Sequence, residues 1–344
     1  MPAASSASVV IEPSMTVSYN LLAPSHKCGA LPDSAAPEYH VPRDLVPDDR
    51  HLVVHDRAGA RLPFSRGIMA TSLLATGLAT AEAYRMATLL YETLRADAIR
   101  EIEADELVTR AHALLAEQQG APVAARWLAW RHAKRVRRPV VISICGAPGV
   151  GKSTVATRLA VRLEITRIVT TDTIREVLRT VIPRAVLPEL HASSYELVDL
   201  HAAMPFAGFD RQGAAVAAAT DAVVGRLCTE QRSTLVEGIH VAPGHLSRTA
   251  PGHPTGPVVI ERLIIEPEED THRERLLHRS QVEPLRRGDR GLAEFPIIRA
   301  IQDHLVQQAV AGGVPIIDPT GLADLTQSIV DEIVRHTDED ADAG

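Results

Sequence analysis

From about residue 50 onward, apolar positions recur with a period that changes once along the chain. HLVVHDRAGARLPF is two short apolar runs around Arg57, Ala58 and Gly59, which predicts a hairpin. Leu73, Leu74 and Leu78 then return at helical spacing in SRGIMATSLLATG, and Tyr84, Thr88 and Tyr91 with Leu90 and Leu94 do so in the next segment. ADELVTRAHALLAEQ and PVAARWLAWRHAKR predict two more helices, with Asp105 and Glu106 suited to the start of the first. Residues 1–47 show no sustained period and are rich in Pro, Ser and Ala, the pattern of a disordered leader.

After Pro139 the period changes to short apolar runs separated by amphipathic stretches. VVISIC (140–145), RIVTT (167–171), STLVE (233–237), VVIERLIIE (258–266) and VPIID (314–318) predict strands. Strands alternating with helices imply crossover connections, hence an α/β fold with a parallel sheet covered by helices on both faces. The expected organisation is a leader (1–47), a small mostly helical domain (48–135), the α/β domain (136–335) and an acidic tail (336–344).

Composition narrows the class. The 344 residues carry a net charge of −7, which argues against a chain that coats nucleic acid or anionic membrane. Three cysteines, Cys28, Cys145 and Cys228, are too few and too scattered for a disulfide framework or a thiolate metal cluster. With no signal-peptide or membrane-span pattern, a cytoplasmic location is expected. RHAKRVRRP, residues 131–139, is the most basic stretch and reads either as a solvated linker or as part of the field around a polyphosphate.

The chemistry enters directly after VVISIC. GAPGVGKST fits G-x-x-x-x-G-K-[ST], with Gly146, Gly151, Lys152 and Ser153 in the defining places and Gly149, Val150 and Thr154 completing the loop. Glycines allow backbone N–H groups to turn around phosphate oxygens, and the following helix adds its partial positive N-terminus. Lys152 would reach the β- and γ-phosphates of ATP, and Ser153 would offer a hydroxyl to Mg²⁺. Lys27, Lys134 and Lys152 are the only lysines in a chain that otherwise uses Arg, so the lysine here is a specific choice.

No N-K-x-D motif for reading guanine is present, and STLVEG lacks the Asp-Glu ending of motor ATPases. A small-molecule kinase remains, which needs a carboxylate for the acceptor hydroxyl and arginines for developing charge. Asp172, after the second strand, is the candidate base or Mg²⁺ ligand; Thr173 and Glu176 beside it form a T-x-x-E capping box. Arg175 is placed to hold an acidic acceptor. Glu237, ending the third strand, is a second candidate for Mg²⁺, and His240 beyond it for a substrate contact. His191, Ser193, Ser194, Tyr195, Asp210 and Arg211 form a polar group where such kinases bind the acceptor. Arg275 and Arg279 lie on neighbouring turns in a segment that also holds Arg273, Arg286, Arg287 and Arg290, which suits a lid over ATP.

PFSRGIMATSLLATGL, WLAWRHAKR, TTDTIREVLR, LPELHASSYE, VEGIHVAPG and RAIQDHLV together resemble the 2-phosphoglycerate kinase family of P-loop proteins, in order, over residues 50–335. The resemblance implies a P-loop kinase preceded by an ATP-cone-like module, whose opening hairpin VVHDRAGARLPFSR is similar to; Arg57, Arg61 and Arg66 are then its candidate nucleotide contacts. It also implies transfer from ATP to 2-phosphoglycerate, with Gly146 to Thr154 on ATP and Asp172 and Arg175 facing the acceptor. HLSRTAPGHPTGP departs from the pattern, so an inositol phosphate or other phosphorylated polyol is the alternative acceptor, and a nucleotide-responsive regulator the alternative role. The expected partner is a small anionic phosphorylated substrate, without nucleic acid or membrane, and self-association into a homo-oligomer stays open.

Overall fold

A computed structural model describes residues 52–136, 138–249, 256–282, 294–318 and 321–342, with the side chains of 136, 249, 279–282 and 337–342 outside the description. The proposed leader, the stretch 250–255, and Arg286, Arg287 and Arg290 lie outside the described residues.

The hairpin forms where the apolar runs place it. β1 (Val53–His55) pairs antiparallel with β2 (Arg61–Pro63), and the turn closes because the Asp56 carboxylate accepts from the Ala58 and Ala60 N–H groups. β3 (Glu101–Glu103) adds parallel to β1. Around this small sheet pack α1 (Arg66–Leu74), α2 (Thr80–Ala96), α3 (Ala104–Gln119) and α4 (Ala121–Ala133), over a core that includes Leu73, Leu90, Leu94, Leu115 and Trp127. On α2 the buried face is Ala83, Met86, Ala87, Leu90 and Leu94. Tyr84, expected on that face, is exposed; the small alanines that bring the neighbouring helices close face inward instead.

The second sheet is parallel throughout, in the order β5-β6-β4-β7-β8. Its strands are β4 (Val140–Cys145), β5 (Arg167–Thr170), β6 (Thr234–Gly238), β7 (Val258–Ile264) and β8 (Ile316–Ile317). β4 lies at the centre with all six residues buried, which explains its unbroken apolar run. Its helices are α5 (Lys152–Arg162), α6 (Thr171–Val181), α7 (Ala207–Thr229), α8 (His245–Thr249), α9 (Glu269–Val282), α10 (Phe295–Gly312) and α11 (Leu322–Asp342). α11 continues through residues 336–342, over most of the stretch expected as a separate acidic tail.

Both sheets belong to one compact unit, Asp49–Gly344. Arg162, at the end of α5, donates to the carbonyls of Leu74 and Leu78 at 3.2 and 3.0 Å, capping the chain at the end of α1. Arg126 on α4 pairs with Asp331 on α11 at 2.8 Å. The basic run between the sheets is occupied locally: Lys134 pairs with Glu164 at 2.6 Å, and Arg138 donates to the carbonyls of Gly256 and His336. Arg131 lies over the Trp127 ring and Arg135 is 3.9 Å from Asp105, so these described side chains all have partners within the fold.

Candidate active site

In a parallel sheet the loops after the strands share one edge, and ligands bind there. Residues 146–151 form the loop between β4 and α5. Gly146 is obligatory, since a Cβ would stand 2.6 Å from the Ile264 carbonyl oxygen of β7. Gly151 caps α5 in the left-handed region at φ 90°, a conformation that costs a side-chain-bearing residue about 1–2 kcal/mol. Lys152 opens the helix and is 8% exposed, its stem packed within the fold.

Of the three residues expected at Mg²⁺, Ser153, Asp172 and Glu237, the first and last are in direct contact. The Ser153 hydroxyl donates to Glu237 Oε2 at 3.1 Å, across from the end of β4 to the end of β6. A hydroxyl and a carboxylate are hard oxygen donors of the kind Mg²⁺ takes. Among the described residues no group of three or more His, Cys, Asp or Glu is arranged for a metal.

Asp172 lies in the first turn of α6, with its side chain half exposed at the same edge. The helix begins earlier than the T-x-x-E pattern predicts: Thr170 is the N-cap and accepts from the Thr173 N–H at 3.2 Å. The reason is tertiary. Thr171 is wholly buried, Gly238 at φ 151° leaves room for it, and its hydroxyl is 3.0 Å from His240 Nδ1.

His240, expected as a substrate contact, is 3% exposed. Its Nδ1 is also 3.6 Å from Asp172 Oδ1, and Nε2 is 3.3 Å from the Ser194 hydroxyl. Ser194 in turn donates to Gln212 Oε1, and Gln212 Nε2 donates to the carbonyls of Glu189 and Ala192. Burial pushes the imidazole down to about 4; Asp172 opposes the shift, and Arg175 and Lys152 add to it. His240 is thus a neutral bridge between the start of α6 and the segment 188–197.

That segment holds most of the other candidates, whose side chains are engaged with the fold as follows. Arg175 donates to the carbonyls of Leu190 and Ala192 at 3.1 and 2.6 Å, so it clamps the segment rather than extending toward an acceptor. His191 Nε2 is 2.9 Å from the Ile182 carbonyl, Ser193 caps the short turn Ser194–Leu197 with Glu196, and Ser194 is buried. Tyr195 is half-buried against the main core. Arg211 pairs with Glu189 at 2.7 Å, and Asp210 with His304 at 2.9 Å. Buried backbone in an irregular segment needs partners, and Arg175, His191, Ser193 and Gln212 supply them.

Arg275 is held by Glu266, itself 4% exposed, and approaches the Val150 carbonyl at 3.5 Å. It belongs to the root of α9 rather than to a swinging tip. The side chain of Arg279 lies outside the described residues. Of the arginines on and beyond the hairpin, Arg57 pairs with Asp105, Arg61 with Glu101, and Arg66, opening α1, lies over the Tyr91 ring. His272, which pattern reading did not single out, is fully buried with Nε2 2.7 Å from the Pro148 carbonyl. Its only sequence signal is its position four residues before Leu276 on a helix reaching the phosphate loop.

A parallel α/β sheet whose central strand runs into a glycine loop, with a hydroxyl and a carboxylate closed beside it, defines a P-loop nucleotide-binding domain. The family model described as "AAA domain" (AAA_33) matches residues 141–324. The 2-phosphoglycerate kinase of Methanocaldococcus jannaschii is 36% identical over 279 residues, spanning 80% of this chain and 89% of that one. Those of Methanopyrus kandleri and Pyrococcus horikoshii are 34% and 32% identical, spanning 79% and 81% of this chain and 84% and 92% of theirs. The chain belongs to the 2-phosphoglycerate kinase family.

Proposed function

We propose that this protein transfers the γ-phosphoryl group of ATP to 2-phosphoglycerate, giving ADP and 2,3-bisphosphoglycerate. The observation that carries the mechanism is the closure of Ser153 on Glu237 beside the phosphate loop, with Asp172 in the first turn of the helix that follows the neighbouring strand. The acceptor's 3-hydroxyl oxygen bonds to the γ-phosphorus as the bond to the bridging oxygen of ADP breaks, and the hydroxyl proton passes to Asp172. Backbone N–H groups of residues 146–153 receive the phosphates, and Lys152 meets the charge that develops on the transferring group. Ser153 and Glu237 would hold Mg²⁺, which would neutralise phosphate charge during transfer.

The acceptor is a trianion, so its binding calls for positive charge on the open side of the loop. Arg211, exposed and paired with Glu189, is the group we assign to it, and Arg279 keeps its expected role toward ATP, while Arg175, Ser194 and His240 shape the segment from within. His191, Ser193 and Tyr195 line the same turn.

The test is ATP consumption with Mg²⁺ by purified protein, offering 2-phosphoglycerate, 3-phosphoglycerate, glycerate and inositol phosphates, with phosphorus NMR of the product. Selective formation of 2,3-bisphosphoglycerate from 2-phosphoglycerate is expected. Preference for an inositol phosphate would reassign the acceptor, and ATP binding with no turnover on any acceptor would favour a regulatory role.

A further inference from the structure

A loop that turns its N–H groups inward toward phosphate turns carbonyls outward, and buried carbonyls need donors. Helix α9 provides them. His272 Nε2 lies 2.7 Å from the Pro148 carbonyl, so that nitrogen carries the hydrogen and donates. Nδ1 is then a buried lone pair, and it has no partner among the described residues. Burial also pushes the imidazole below its ordinary value, which keeps the ring neutral. Phe295 meets the ring edge-on at 5.4 Å and fixes its plane.

The neighbouring loop residues are gripped as well. Gly149 has φ 84°, and a Cβ there would stand 2.7 Å from the Leu276 side chain and 3.1 Å from His272. Arg275 reaches toward the Val150 carbonyl while paired with Glu266. Three successive residues of the phosphate loop are therefore held by one turn of α9. The consequence follows from peptide planarity: the Pro148 carbonyl and the Gly149 N–H belong to one rigid plane and point oppositely. Fixing the carbonyl outward aims that N–H inward. The same holds for the Val150 carbonyl and the Gly151 N–H.

We propose that His272 is a positioning residue for nucleotide, which sets the phosphate loop by its hydrogen bond to the Pro148 carbonyl and ties the lid helix to it. The inference rests on reading residues 146–154 as the ATP site, and it is independent of which acceptor is phosphorylated. Nucleotide affinity depends on this contact, and acceptor affinity does not.

The test compares His272→Leu, which keeps apolar bulk and removes the donor, with His272→Gln, which restores a donor at similar reach. ADP binding is measured by calorimetry without acceptor, and KM is measured for ATP and for acceptor. His272→Leu is expected to weaken ADP binding about tenfold, with a matching rise in KM for ATP and acceptor KM within about twofold. His272→Gln is expected to recover most of the loss. Unchanged ADP affinity in folded His272→Leu, a parallel rise in both KM values, or no recovery with Gln overturns the proposal. Should His272→Leu not fold, Leu276→Ala decides: it thins the packing on Gly149, so weaker ADP binding supports the latch and unchanged binding overturns it. A wrong acceptor would show separately, as absent turnover on 2-phosphoglycerate with ADP binding intact.

Discussion

Replacing Gly238 by alanine tests whether the start of α6, and with it Asp172, is seated by the end of β6. Gly238 has φ 151°, and a Cβ built there would stand 1.8 Å from the Thr171 hydroxyl oxygen and 2.8 Å from its Cβ. No rotamer of Thr171 clears both contacts, so the helix start must move. The strained backbone costs about 1–2 kcal/mol, overpacking about 1–3, and loss of the Thr171–His240 hydrogen bond about 1. Taking the terms as partly overlapping, the loss is about 3–5 kcal/mol. For a compact unit of about 300 residues that lowers Tm by about 5–8 °C. Displacing Asp172 by even about 1 Å would cut kcat by about a hundredfold. The assay is thermal unfolding followed by circular dichroism, with turnover measured well below the transition. Gly225→Ala is the control: it lies inside α7 with open space where the Cβ would go, and is expected to be neutral or to stabilise by up to about 1 kcal/mol. A Gly238→Ala protein with Tm within about 3 °C of the parent and kcat within about twofold would refute the seating of α6 on β6.

Lys152→Ala is expected to lower kcat/KM by at least about 10²–10³, because a preorganised charge on the transferring phosphate is lost; near-parental turnover in a steady-state assay would remove Lys152 from the mechanism. Glu237→Ala is expected to raise the Mg²⁺ concentration needed for half-maximal rate and to leave the fold intact, read from a Mg²⁺ titration of activity beside a melting curve; an unchanged titration would exclude Glu237 from the ion's surroundings. Stability should fall in acid. His240 is held down to about 4 from an ordinary 6.5, so its contribution is fully present above pH 6.5 and is lost as pH falls toward 4. The full loss is about 3 kcal/mol, visible in urea unfolding as a slope that His240→Gln flattens.

The phosphate site was largely legible because its determinants are local. VVISIC is a strand over the same six residues the pattern predicts, and the glycine loop follows it without a gap. Ser153 and Glu237 are 84 residues apart, yet each ends a strand or starts a helix at one edge of a parallel sheet, so topology alone brings them together. Nothing comparable announces the 188–197 segment. A polar cluster between helices looks the same in sequence whether its side chains face a ligand or satisfy buried carbonyls, and Arg175 and His191 do the latter. The helix start at Thr171 was hidden for a related reason. Thr173 and Glu176 offer a sound local cap, but the fit of Thr171 under Gly238 and against His240 is worth more than one capping box.

These displaced assignments share a physical logic that bears on the reaction. Phosphoryl transfer asks the protein for little covalent chemistry and much positioning. The side chains that touch phosphate can then be few, provided the backbone that carries them is over-determined. In this chain the over-determination is visible on both sides of the site. On one side, Thr171, His240, Ser194 and Gln212 form a continuous hydrogen-bonded chain from the start of α6 to the carbonyls of Glu189 and Ala192. On the other, His272, Arg275 and Leu276 hold Pro148, Val150 and Gly149. A neutral imidazole sits at the centre of each. Burial keeps both from charging near neutral pH, so each hydrogen bond keeps one direction while charge moves on the phosphates between them. A protonated ring at either place would add a positive charge and a second donor beside Lys152, competing for the same anions. The two histidines therefore act by remaining unprotonated, which is why their effect should appear in nucleotide affinity and acid stability rather than as a proton-transfer limb near pH 7.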